Sequence, residues 1–108
     1  MKLNLTACVT LLALSSLSTA GLADGKGKID GKKEFEEHCA SCHADGGNIV
    51  NPKMTLKKAD RAANSIKNAK DIVAKMRKPG PGMTAFDSKT VSNAEAKAIA
   101  DYIIKTFK

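Results

Sequence analysis

The 108-residue chain has no tryptophan, and its aromatic side chains amount to three phenylalanines and one tyrosine. A chain this short with so few large rings has a marginal hydrophobic core unless something else fills the middle. Cysteine is scarce too. Of three, Cys8 lies in an N-terminal stretch read as removable, and Cys39 and Cys42 belong to one short motif, so no disulfide framework braces the fold. No apolar run reaches the ~20 residues of a membrane span. The longest, from Leu3 to about Leu17, contains Ser15 and Ser16 and ends in Ser18-Thr19-Ala20. With Met1-Lys2 ahead of it, it reads as a secretory leader over residues 1–20, cleaved after Ala20 or alternatively after Ala23, leaving one domain over 21–108. Leu5-Thr6-Ala7-Cys8 has the letters of a lipoprotein box, but four residues ahead of it hold no apolar region, so Cys8 leaves with the leader. Stable membrane insertion is not expected. Period-two alternation is missing throughout, which excludes sheet and predicts an all-α fold.

Acidic residues are outnumbered, 11 against 18 lysines and arginines, for a net charge of +7. Loss of Lys2 with the leader leaves 17 against 11, or +6. Lysines without interleaved aromatics, on an exported chain, argue against a nucleic-acid surface. A protein partner with an acidic docking face suits them better.

What the chain does have is Cys39-Ala40-Ser41-Cys42-His43. Two thiols three positions apart can lie on one side of a helical turn and add across the two vinyl groups of a haem, and the histidine that follows can take one axial position on the iron. Two other readings of a Cys-x-x-Cys pair fit less well. A thioredoxin-like site wants the pair to open a helix after a buried strand, whereas Gly31 to Glu37 is polar and helical in pattern. A zinc site wants four ligands, and Cys39, Cys42, His38 and His43 are crowded into six positions. A covalent haem would also supply the apolar surface that the core lacks, so the haem-free chain is expected to be unfolded or molten.

A first helix should start near Asp30 as N-cap and run into the motif, with Gly31 and Phe35 one turn apart as a notch and a knob for another helix. Residues 44–48 read as loop, and a backbone carbonyl near Asn51 or Pro52 is the expected acceptor for the histidine's second nitrogen. Leu56 to Ala63 reads as a short helix capped by Thr55, with Lys57, Lys58 and Arg61 as a solvated face within reach of a haem carboxylate. Asn68 opens the next helix, Ile72, Val73 and Met76 form its apolar side, and Pro79-Gly80 stops it. Ser92-Asn93-Ala94-Glu95 is a capping box before a last helix with Ala96, Ile99, Ala100, Ile103 and Phe107 on one stripe.

His38, tethered beside the motif, is poorly placed to fill the iron's second axial position, so a methionine thioether is the expected sixth ligand. Met54 follows His43 too closely to travel round a porphyrin, and Met76 fits a helix's apolar face as core. Met83 lies in Pro79-Gly80-Pro81-Gly82-Met83-Thr84-Ala85-Phe86, a loop whose glycines allow close approach to a flat cofactor, and is the favoured ligand.

These residues give the chain its resemblance. Phe35 through Ala44, Gly46-Gly47-Asn48, Asn51-Pro52, Thr55 through Ala59, Gly82-Met83 with Phe86, and Ala100-Asp101-Tyr102 resemble a small class I c-type cytochrome of the cytochrome c6 and c553 type. The resemblance implies an all-α cytochrome c fold: about four short helices around one covalent haem c on Cys39 and Cys42, the terminal helices crossing with Gly31 and Phe35 against Tyr102, and His43 and Met83 as axial ligands. It implies a soluble one-electron carrier of the periplasm or thylakoid lumen, monomeric, not an enzyme, exchanging electrons with acidic-faced redox proteins. In one departure, Thr84 follows Met83 where the family commonly has proline, and Pro81 precedes it, which points to a looser loop. Two alternatives follow from other classes: a haem protein with a labile sixth ligand that binds small gases or reacts with peroxide, and a thiol oxidoreductase using Cys39 and Cys42.

Overall fold

A computed structural model describes residues 28–108. The expected leader over 1–20, its two candidate cleavage points and Cys8 lie outside them. Five α-helices follow in order: α1, Gly31–His38; α2, Ala40–His43; α3, Lys58–Ala63; α4, Ala69–Arg77; and α5, Asn93–Thr106; a 3₁₀ turn, Ala44–Gly46, joins directly onto α2. Among the described residues there is no strand, as the missing alternation requires.

Asp30 caps α1, its carboxylate accepting from the amides of Lys32 and Lys33 at 3.0 and 3.3 Å. The helix does not run unbroken into the motif. Cys39 (φ −122°, ψ −32°) interrupts it and becomes the N-cap of α2. The hydrogen-bond chain nevertheless survives the kink, from Cys39 N to Phe35 O at 2.8 Å and from His43 N to Cys39 O at 2.9 Å. The third helix is shorter than its pattern. Leu56 is drawn out of it because its amide donates to Gly46 O at 2.7 Å, and Lys57, not Thr55, is the N-cap. The Thr55 hydroxyl is used otherwise: it donates to the Asp60 carboxylate and accepts from Lys57 N.

The last two helices start where their caps predict. Asn68 accepts from Asp71 N at 3.0 Å, and Ser92 and Glu95 complete the capping box, with bonds of 3.1 and 3.2 Å. Both α1 and α4 pack on α5, and the core at these crossings is Phe35, Ile72, Met76, Val91 and the α5 stripe Ala96, Ile99, Ala100 and Ile103. Gly31 sits where α1 meets α5. A Cβ there would come within 2.2 Å of the Ala98 carbonyl oxygen and 3.2 Å of Tyr102 Cβ, so only a hydrogen fits. Phe35 enters beside it, its ring centroid 5.3 Å from Tyr102 and 5.5 Å from Phe107, tilted arrangements that favour aromatic contact. The expected terminal-helix crossing is therefore present, built from these residues.

Candidate haem-binding cleft

A cleft of about 400 Å³ opens between α2, α3, α4 and the 79–86 segment, within the size range of sites that hold cofactors. Cys39, Cys42 and His43 line it from one limb of the chain and Met83 from another. Local chain chemistry orients the histidine. Asp45 (φ 54°) and Gly46 (φ 77°) both take the left-handed conformation and reverse the chain directly after His43. Gly46 also has no room for a side chain, since a Cβ would lie 2.5 Å from the Phe107 ring. The reversal brings the Gly47 carbonyl to 2.7 Å from His43 Nδ1. A carbonyl only accepts, so Nδ1 carries the proton and Nε2 keeps its lone pair for a metal. The acceptor is thus Gly47, four residues on, and not a carbonyl near Asn51 or Pro52. Asn48 occupies that loop itself: its side-chain oxygen accepts from the amides of Val50 and Asn51, both at 2.9 Å.

The cysteines form no disulfide. Burial pushes the Cys39 thiol up to about 11, which leaves it protonated at neutral pH and a poor nucleophile. A redox-active thiol calls for a shift in the opposite direction. His38 also borders the cleft, its Nε2 3.5 Å from Glu34 Oε2 and its ring edge-on to Phe86 at 6.1 Å. All three methionines of the described residues line the cleft, in different surroundings: Met54 is exposed, Met76 is a core residue of α4, and Met83 is half-buried on its loop.

The Met83 loop is braced in a way that composition does not show. Gly82 takes φ 88° and lies against Val50, where a Cβ would come within 2.8 Å of Val50 Cγ1. Phe86 N donates to Met76 O at 2.8 Å. Arg77, which the sequence offers as one more cation at the end of α4, reaches across the loop: Nη1 donates to Phe86 O at 2.9 Å and Val91 O at 2.8 Å, and Nη2 to Asn93 Oδ1 at 2.9 Å. The carbonyls it holds lie 9 and 14 residues away, a pairing no local pattern encodes. Arg61 is likewise misread by pattern. Only 6% exposed, it is a buried cation in the cleft wall and not part of a solvated lysine face.

This donor set suits a haem: two thiols for covalent attachment, an imidazole with its outer nitrogen free, and a soft thioether, bordered by Leu56, Ile66, Ile72, Phe86 and Ile103. Comparison with known proteins agrees. The family profile described as cytochrome c oxidase, cbb3-type, subunit III matches residues 28–103. Cytochrome c6 of Nostoc sp. is 31% identical over 93 residues, covering 86% of this chain and 83% of that protein. The chain belongs to the cytochrome c family. Among solved structures, the outer membrane cytochrome OmcF from Geobacter sulfurreducens superposes with a TM-score of 0.70 at 44% identity, covering 72% of this chain and 99% of that one. Cytochrome c6C from Synechococcus sp. gives 0.68 at 32% identity, covering 73% and 95%. The cytochrome accordingly carries a covalently bound haem c and is an electron-transfer protein. Among its described residues no helix is long and apolar enough to cross a membrane.

Proposed function

We propose that this cytochrome is an exported, diffusible one-electron carrier, monomeric and not an enzyme, tethering its haem through Cys39 and Cys42 and ligating the iron with His43 and Met83. The observation that carries this reading is His43, fixed by the Gly47 carbonyl with its free nitrogen in the same cleft as both thiols and Met83. A bound haem supplies a reversible ferric/ferrous couple. The residues supply the rest. Cys39 and Cys42 prevent dissociation, and His43, through its Nδ1–H bond, keeps one tautomer and one ring orientation in both oxidation states. Met83, on a loop held by Gly82 and by Arg77's grip on Phe86, would supply the second ligand, a soft thioether, and so keep exogenous ligands out. The apolar wall excludes water, which limits reorganisation. The lysine-rich surface steers encounter with an acidic-faced redox protein in the periplasm or, in a photosynthetic source, the thylakoid lumen.

The test is an optical spectrum of protein matured in a host able to attach haem, oxidised and reduced, with and without carbon monoxide. The expected result is a low-spin c-type spectrum with the weak far-red band of iron–thioether ligation, unchanged by carbon monoxide and lost in Met83→Ala. A spectrum that shifts on carbon monoxide addition sinks the carrier reading in favour of an open sixth position.

A further inference from the structure

Of Lys57, Lys58 and Arg61, it is Arg61 that lines the cleft. It belongs to the last turn of α3 and is 6% exposed. Its Nε donates to Leu56 O at 2.8 Å and its Nη2 to Phe107 O at 3.1 Å, so two neutral carbonyls satisfy part of its fork. Nη1 has no acceptor among the described residues, yet it is not sealed from solvent, since no fully buried side-chain nitrogen lacks a partner. No carboxylate of the described residues comes within 4.0 Å of the guanidinium; the close lysine–carboxylate pairs among them are Lys32–Glu36 and Lys97–Asp101. The adjacent Asp60 is taken by the amide and hydroxyl of Thr55.

A guanidinium cannot shed its proton, and carbonyls do not neutralise it. Burying such a charge without a counter-ion is strongly unfavourable. The residue borders the cleft, so the edge left open is available to a group bound there. A haem brings two carboxylates, and a fork already held at two points is preorganised for one of them. We propose that Arg61 is the carboxylate-binding residue of this cleft, joining one haem carboxylate to the Leu56 loop and to the chain's C-terminal end at Phe107. This rests on the haem reading above. The other charged or titratable groups lining the cleft are His38 from α1, Cys39, Cys42 and His43 around α2, Asp60 from α3 and Lys75 from α4; α5 and the 79–86 loop contribute none. Lys75, exposed on α4, is the competing cation.

The sign of the effect is fixed by electrostatics. An ionised carboxylate near the iron stabilises the ferric form and lowers the reduction potential; a cation beside that carboxylate opposes this and keeps the carboxyl ionised to lower pH. In the haem-loaded protein, Arg61→Met should therefore lower the potential at pH 8, and the gap to the unsubstituted protein should close on acidification as the freed carboxyl takes up a proton. Its apparent pKa should rise by at least one unit, a tenfold gain in proton affinity. Arg61→Lys should retain most of the potential, and Lys75→Gln should leave the pH profile unchanged. Loss of the two carbonyl bonds alone would lower stability without a pH-dependent potential. If Arg61→Met does not fold, NMR titration of the unsubstituted protein decides: one haem carboxyl should stay ionised well below the ordinary carboxylate range. Two carboxyls titrating normally, a Lys75→Gln profile altered instead, or parallel potentials for Arg61→Met from pH 5 to 9 would overturn the assignment. Protein that carries no haem at all would instead refute the reading on which it rests.

Discussion

Arg77→Met tests whether side-chain bracing replaces the proline that does not follow Met83. Methionine keeps the apolar stem and removes the donors, which leaves the Phe86 and Val91 carbonyls and the Asn93 side chain without the bonds of 2.8–2.9 Å that now hold them. A hydrogen bond from a charged donor contributes roughly 1.5–3 kcal/mol, so the two bonds to part-buried carbonyls together represent about 3 kcal/mol. A domain of this size has roughly 4–12 kcal/mol in total, so the holoprotein should unfold at clearly lower denaturant. The functional consequence is more specific. Arg77 on one side and these two carbonyls on the other bracket the segment that carries Met83, so most of the loss should appear as local opening of that segment. About 3 kcal/mol corresponds to roughly a hundredfold rise in the open population. Stopped-flow carbon monoxide binding to the ferrous protein reads that population, and it should accelerate by about the same factor. Arg77→Lys, which keeps the charge but not the planar fork, should fall between. A variant that loses stability but binds carbon monoxide no faster than its parent would show that Arg77 supports the domain generally, and the account of the loop would be wrong.

Other substitutions probe other parts of the frame. Gly31→Ala gains up to about 1 kcal/mol of helix propensity but puts a Cβ 2.2 Å from the Ala98 carbonyl oxygen. Backbone cannot yield as a side chain does, so the clash should win and a net loss of about 1–3 kcal/mol should appear in urea unfolding; an equal or higher midpoint would refute the crossing geometry. Cys39→Ser/Cys42→Ser, which cannot tether haem, should lose most of its helical circular dichroism and its cooperative melt, and a sharp, parent-like transition would mean that the core stands without the cofactor. Asp87 is held below its ordinary value of 3.8, chiefly by hydrogen bonds from Thr90 and also from Lys89. Its contribution is therefore present above that value and lost as pH falls through the lowered one. Asp87→Asn should be less stable than its parent at pH 7 and indistinguishable at pH 2, and a difference that grows on acidification would contradict this.

Much of the frame could be read from the sequence because its determinants are local. Asp30, Asn68 and the Ser92–Glu95 box each satisfy amides within three residues, so composition alone marks where helices begin. Gly31 and Phe35 announce the crossing because a notch one turn from an aromatic suits few other purposes. The misreadings share a different origin. Leu56 leaves α3 because of Gly46, ten positions earlier, and the Thr55 hydroxyl goes to Asp60. The acceptor for His43 turns on two left-handed residues whose combined effect is to fold the chain straight back, where a longer loop was expected.

Arg61 and Arg77 mark the sharper limit. Each is one basic residue among 18 in a lysine-rich chain, and charge patterning gives no reason to single them out. What distinguishes them is arginine chemistry together with distant acceptors: Arg77 reaches Val91, 14 residues on, and Arg61 reaches Phe107, 46 residues on. A lysine offers a point charge on a mobile stem, and most lysines here do stay in solvent. A planar fork can satisfy carbonyls from two chain segments at once, which suits it to holding a loop or a chain end against a cofactor. On the proposed reading, the Cys-x-x-Cys-His motif would tether the haem, and these two arginines would govern how the chain closes over it. Closure is also where Thr84 follows Met83, at a position where the c6-type resemblance leads one to expect proline. If the arginines do substitute for that proline, introducing it by Thr84→Pro should add little to the parent and should restore a substantial part of the carbon monoxide exclusion lost in Arg77→Met. Equal gains in both backgrounds would mean that ring and fork act independently.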